Sequence, residues 1–174
     1  SNQTECDILL DEAFGFNPTN VTHLNSVYLD YKSILSLSER CILIKSRLGS
    51  GKSTIARQLA FKYGNKRILY LVSSRPLAYG SRNKLNAFEM FKKDLNFISY
   101  LETDQPLHKY DHLVCSVQSL WRAARIKQVP YDLIILDELS SIIEDCTNVT
   151  NKHPRENQLA LRWFSERCKK WVGL

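Results

Sequence analysis

Apolar residues gather along this chain in short continuous runs, with helically spaced or polar stretches between them. Cys41-Ile42-Leu43-Ile44, reaching Lys45, is the first run, and Arg67-Ile68-Leu69-Tyr70-Leu71-Val72 is the second. Phe97–Leu101, His112–Val117 and Tyr131-Asp132-Leu133-Ile134-Ile135-Leu136 follow. Runs of this length without alternation are the mark of strands buried on both faces, the condition of a parallel sheet. Between them the spacing turns helical. A helix is predicted from Lys52 to about Tyr63, where Gly64-Asn65 supplies a stop, and others over Tyr79–Lys93, from Gln118 to Arg122, and over Leu139–Asp145. Glu156–Trp171 reads as a final amphipathic helix with Leu159, Trp163, Phe164 and Cys168 on its apolar side.

The N-terminal part differs. Residues 1–25 read as an irregular acidic arm, and Val27, Tyr28, Tyr31, Ile34 and Leu35 recur at the spacing of a short helix. The chain therefore divides into an arm with a short helix over 1–39 and one α/β domain over 40–174. No internal repeat or low-complexity linker interrupts it.

Candidate chemistry sits where two of the predicted strands end. After the first comes Ser46-Arg47-Leu48-Gly49-Ser50-Gly51-Lys52-Ser53, a strand–loop–helix phosphate loop whose opening position is serine where glycine is usual. Gly49 and Gly51 let the backbone curl until successive N–H groups point at an anion, and the following helix adds its positive dipole end. Leu48, Gly49, Ser50, Gly51, Lys52, Ser53 and Thr54 form the phosphate-contacting set. Lys52 is assigned to the β- and γ-phosphates and Ser53 to magnesium.

The run ending at Leu136 is closed by Asp137-Glu138. A carboxylate at the end of a strand beside a phosphate loop reaches magnesium through water, and a neighbouring glutamate orients or deprotonates the attacking water. Lys52, Asp137 and Glu138 are thus the candidate catalytic residues, with Ser53 and Asp137 as metal ligands. At two further strand ends, Ser74 and Arg75 and then Gln118 and Ser119 occupy the edge where open parallel sheets bind ligands. Gln118 and Ser119 suit a backbone phosphate of a nucleic acid or, equally, a helix cap.

Composition narrows the setting. The five cysteines form no C-x-x-C pair and are odd in number, against a zinc site or a disulfide framework. No apolar run approaches the roughly twenty residues needed to span a bilayer, and the acidic N-terminus lacks the layout of a signal peptide. The expectation is an intracellular, soluble protein with no membrane partner. The net charge of +6 is uneven, since residues 1–31 hold no Lys or Arg. A basic body suits a polyanion, or is a solvated face. Opening on Ser1-Asn2 without methionine, the chain is expected to be a piece of a longer protein.

With both motifs placed, residues 40–145 resemble the first RecA-like domain of superfamily 2 helicases, and more narrowly the replication origin-binding protein type of herpesviruses and other large DNA viruses. Ser73-Ser74-Arg75 is similar to motif Ia, Cys115–Leu120 to motif Ib, and Tyr131–Glu138 to the Walker B motif; a small residue opening the phosphate loop is common in that class. The resemblance implies a RecA-like P-loop NTPase fold, mostly parallel with helices on both faces, using ATP and Mg2+. It implies single-stranded or duplex DNA as partner, contacted through Ser74, Arg75, Gln118 and Ser119. Replication-complex proteins, and a host nucleus or cytoplasmic replication site, would go with a viral source. A second RecA-like domain, whose arginines complete the ATP pocket, is missing here, as is an evident motif III, and loss of such an arginine costs about 10³ or more in turnover. Two other readings stay open: a thymidine-kinase-type nucleoside kinase, which usually carries a structural zinc, and a nucleotide-gated nucleic-acid-binding module without turnover.

Overall fold

The computed structural model describes residues 30–46, 49–73, 96–147 and 152–174. Along them run α1 (Tyr31–Ser36), β1 (Cys41–Leu43), α2 (Lys52–Lys62), β2 (Ile68–Val72), β3 (Ile98–Ser99), β4 (His112–Ser116), α3 (Trp121–Ala124), β5 (Leu133–Leu136), α4 (Leu139–Thr147), α5 (Pro154–Arg167) and β6 (Lys170–Gly173). The strands form one six-stranded sheet in the order β1-β6-β5-β2-β4-β3. Every pairing in it is parallel. The arm over 1–29, and with it Val27 and Tyr28, lies outside the described residues. So do Leu48, Ser74, Arg75 and the helix expected over Tyr79–Lys93.

Every residue of β2, β5 and β6 is buried. That explains why β2 and β5 read as unbroken apolar runs. The chain moves one way across the sheet from β1 to β2 and the other way from β4 to β5 and from β5 to β6. Right-handed crossovers then put α2 on one face and α3, α4 and α5 on the other. The packing agrees: α1 rests on α2, whereas α3 and α4 both rest on α5. Ile34 of α1 is buried in the same core as the sheet.

Three expectations need correction. The predicted helix over Glu156–Trp171 is a helix only to Arg167, and Lys170–Gly173 is a strand inserted between β1 and β5. Its short apolar run, Trp171-Val172, continues a helical pattern without a break, so periodicity alone could not separate the two. The position of Lys170 in β6 buries it, and its Nζ donates to the carbonyls of Leu37 (2.7 Å) and Glu39 (2.9 Å).

The buried stripe of α5 is also shifted, to Asn157, Ala160, Leu161, Phe164 and Ser165. Leu159 is 59% exposed. Finally, α2 stops near Gly64 as expected, but not through a left-handed glycine. Tyr63 closes the turn by donating to the Leu59 carbonyl, and among the described residues the left-handed glycines are Gly49 and Gly51.

Gly173 sits at a close approach within the sheet. A Cβ there would lie 2.8 Å from Leu139 Cδ2 and 3.0 Å from the Trp171 ring. Gly173→Val is expected to destabilise the fold by about 1–3 kcal/mol through overpacking, measured as a lower urea midpoint at unchanged slope.

Candidate nucleotide and nucleic-acid site

All six strands point the same way, so their C-terminal ends share one edge. The loop after β1 and the Asp137-Glu138 pair after β5 both open there, with β6 between them. Two strand spacings put the ends of β1 and β5 about 10 Å apart.

The described part of the loop bends at its glycines, as expected from the sequence. Gly49 (φ 78°) and Gly51 (φ 89°) are both left-handed, a conformation that side-chain-bearing residues adopt at a cost. A Cβ on either would meet nothing within 4 Å. Conformation, not crowding, therefore demands glycine, and the space over the loop is open. Ser46, the departure from glycine at the first position, has a use: its Oγ lies 2.7 Å from Ser50 Oγ and ties the loop's two ends. Lys52 Nζ donates to the Ser46 carbonyl at 3.3 Å. Gly51 is the N-cap of α2 without any side-chain cap, so first-turn amides are left to an external acceptor. Ser53 is exposed, and Thr54 is half-buried with its Oγ1 3.5 Å from Arg57. Open space, uncapped amides and an ammonium at the mouth fit a phosphate chain.

The backbone at the second motif is pinned from both sides. Asp137 N donates to the Leu71 carbonyl of β2, and Leu139 N to the Leu174 carbonyl just beyond β6, both at 2.9 Å. Glu138, held between them, has φ 57°, the one positive value outside glycine among the described residues. Strain of this kind persists where surrounding bonds over-determine the backbone. Glu138 is exposed and Asp137 half-buried at the edge.

One residue that the sequence reading passed over belongs here. Tyr70 Oη donates to Asp137 Oδ2 at 2.9 Å. Burial pushes the Tyr70 phenol well above its ordinary range, and the neighbouring Asp137 charge and hydrogen bond raise it further. The phenol therefore stays a donor. The only signal in the sequence was a single polar tip within an apolar strand.

Gln118 and Ser119 lie in a 3-10 turn, Val117–Ser119, at the end of β4. Neither this turn nor α3 carries a side-chain cap, so the capping alternative does not hold. Asn157 of α5 supplies the missing bonds: fully buried, it donates to the Gln118 carbonyl and accepts from Trp121 N, each at 2.8 Å. The exposed Gln118 side chain bonds Asp145, and this offsets part of the rise that burial and Glu144 impose on that carboxyl.

A parallel sheet with a glycine-bent loop and a strand-end carboxylate pair on one edge defines a RecA-like P-loop domain. The family described as Type III restriction enzyme, res subunit (ResIII) matches residues 20–161, and the chain belongs to it.

Among curated proteins, "Uncharacterized putative helicase R8" of Acanthamoeba polyphaga mimivirus is 29% identical over 107 residues, covering 58% of this chain and 10% of that protein. The "Putative replication origin-binding protein" of the same virus is 26% identical over 107 residues, covering 58% and 13%. The "Putative helicase/primase complex protein" of African swine fever virus (strain Badajoz 1971 Vero-adapted) is 26% identical over 131 residues, covering 72% and 12%. The chain thus spans about a tenth of the length of these relatives.

Among solved structures, the Sulfolobus solfataricus SWI2/SNF2 ATPase core in complex with dsDNA superposes with a TM-score of 0.52 at 17% identity, covering 83% of this chain and 28% of that one. The Type ISP restriction-modification enzyme LlaGI, solved with a DNA substrate mimic, gives 0.50 at 15% identity, covering 82% and 16%. The fold is therefore that of the SWI2/SNF2 ATPase core it superposes on, and nucleotide use goes with the family.

Replacing Glu138 by glycine removes a left-handed penalty of about 1–2 kcal/mol and adds roughly 0.5–1 kcal/mol of backbone entropy cost. Glu138→Gly is therefore expected to be as stable as the parent or up to about 1.5 kcal/mol more stable. Glu138→Val, β-branched at the same φ, is expected to be less stable, with urea titrations ranking the three.

Proposed function

We propose that this chain is the ATP-binding first RecA-like domain of an ATP-dependent DNA helicase acting in viral replication. The observation that carries the reading is the shared edge: a loop bent at Gly49 and Gly51 opens beside Asp137-Glu138 with one strand between. Bound magnesium–ATP supplies an electrophilic γ-phosphorus and a cation that neutralises charge on the phosphates. The amides of Leu48, Gly49, Ser50 and Gly51 bind the phosphate chain, with those of Lys52, Ser53 and Thr54 at the start of α2. Lys52 exchanges its bond to the Ser46 carbonyl for phosphate oxygens. The Ser53 hydroxyl and the Asp137 carboxylate hold the cation, and Glu138 orients the attacking water and accepts its proton.

Residues 40–174 form the domain, with 1–39 leading into it and α1 seated against α2. DNA, single-stranded or duplex, runs along the same edge, its backbone phosphates held by Ser74, Arg75, Gln118 and Ser119. A second RecA-like domain and replication-complex proteins belong to the full-length protein, which works at a site of viral replication inside the host cell. Among the described residues no helix is long and apolar enough to cross a membrane. The nucleoside-kinase alternative loses its support with the family match. A clamp without turnover is the second outcome of the hydrolysis assay.

Lys52→Ala is expected to lower magnesium–ATP affinity at least tenfold in calorimetry while the melting temperature holds; unchanged affinity refutes the assignment. Arg75→Ala is expected to weaken single-strand binding equally across sequences and to flatten its salt dependence by about one phosphate contact, because phosphate contacts carry no base information. A sequence-selective loss contradicts this role. Magnesium-dependent hydrolysis with and without single-stranded DNA separates motor from clamp.

A further inference from the structure

The phosphate loop lies three strands away from β2, so the loop residues do not explain how the carboxylate at the end of β5 is aimed. The sheet register does. Tyr70 of β2 pairs with Ile135 of β5, and side chains two apart on a strand share a face. Tyr70, Ile135 and Asp137 therefore project on the same side, with Tyr70 and Asp137 as diagonal neighbours, a separation that a tyrosine ring bridges. The ring is 3% exposed, which fixes its direction, and Oη ends 2.9 Å from Asp137 Oδ2. That side is the face of α2, since Arg57 of α2 lies close enough to act electrostatically on the phenol. Arg57 is itself tied to the first turn of α2 through the Ser53 carbonyl and Thr54 Oγ1.

We infer that Tyr70 is a positioning residue for the cation site: by occupying Asp137 Oδ2 it locks the carboxylate's rotation and presents Oδ1 alone to the magnesium shell. The inference rests on the nucleotide-site reading and adds to it a residue outside both motifs. A free carboxylate at a half-exposed strand end turns about its last torsion and offers either oxygen. One buried donor on Oδ2 removes that freedom before the cation arrives. Groups that orient a metal-binding carboxylate in this way are worth about 10–100-fold in metal affinity.

Tyr70→Phe deletes one oxygen and keeps the ring. The test uses a non-hydrolysable ATP analogue bound to this chain, with free magnesium titrated upward from a chelator-buffered zero. The expected result is a magnesium midpoint raised about tenfold or more, with the magnesium-free affinity and the melting temperature held. In an Asp137→Asn background the same substitution is expected to shift nothing further, because Tyr70 acts only through that carboxylate. A wild-type magnesium midpoint in Tyr70→Phe overturns the inference, as does an equal shift in both backgrounds, the pattern of a purely structural role. Should the phenylalanine variant not stay folded, Tyr70→Met keeps apolar volume without a donor and is read by the same two criteria. Lys52→Ala run alongside keeps the two readings apart. Unchanged nucleotide binding in that variant overturns the site itself, whereas loss there with an unmoved magnesium midpoint in Tyr70→Phe overturns only the role of Tyr70.

Discussion

The hydrogen-bond ladder on either side of β6 holds the site together. Ile44 N reaches the Gly173 carbonyl (2.8 Å), Leu174 N reaches Leu136 O (2.9 Å), and Leu139 N reaches Leu174 O (2.9 Å). These three bonds tie the backbone entering the phosphate loop to the backbone carrying Asp137 and Glu138. Without β6 in the gap, the two halves of the proposed nucleotide site would be separate strand ends with no common frame. Gly173 allows the close fit, and the buried Lys170 anchors the other end of the strand on the turn before β1. The last five residues of the described chain thus set the distance across a site whose chemistry lies elsewhere in the sequence.

From that frame the strain at Glu138 follows. A residue with its neighbours' amides bonded to two different strands, Leu71 on one side and Leu174 on the other, has little freedom left, and the left-handed turn is what remains. The backbone cost sits at the position that would face the attacking water, and the order of that position comes from the sheet. Tyr70 adds the same kind of order to Asp137. Across the edge, Asn157 does so for the turn after β4, bonding it at two points from α5, the helix that runs on into β6. Gln158 of α5 also donates to the Cys146 carbonyl of α4, the helix that begins just after Glu138. The segment proposed to contact DNA and the segment proposed to position water therefore rest on one helix.

The family match and the spans of the relatives bear on scale. The described residues form one six-stranded parallel sheet, and the chain spans about a tenth of the length of each curated relative. Within the described residues lie a backbone bent at Gly49 and Gly51 and an Asp137 carboxylate that accepts a hydrogen bond from Tyr70, both on one strand-end edge.

The sequence by itself determined the sheet type and both chemical motifs, because these are local: unbroken apolar runs require a parallel sheet, Gly49 and Gly51 specify a left-handed bend, and Asp137-Glu138 ends a buried strand. Strand lengths, by contrast, were overread by one to three residues, the most at Phe97–Leu101, where the strand is Ile98–Ser99. The tertiary structure alone decided that Lys170–Gly173 is a strand, since four residues carry no period and the backbone hydrogen bonds that define them come from β1 and β5. It alone decided that Tyr70 meets Asp137, which depends on the register between two strands separated by more than sixty residues. It also decided that the buried face of α5 centres on Asn157, a polar residue that pattern reading leaves in solvent. Local conformation is written in neighbouring side chains. Pairing between distant segments is set by the competition of the whole chain for the same core.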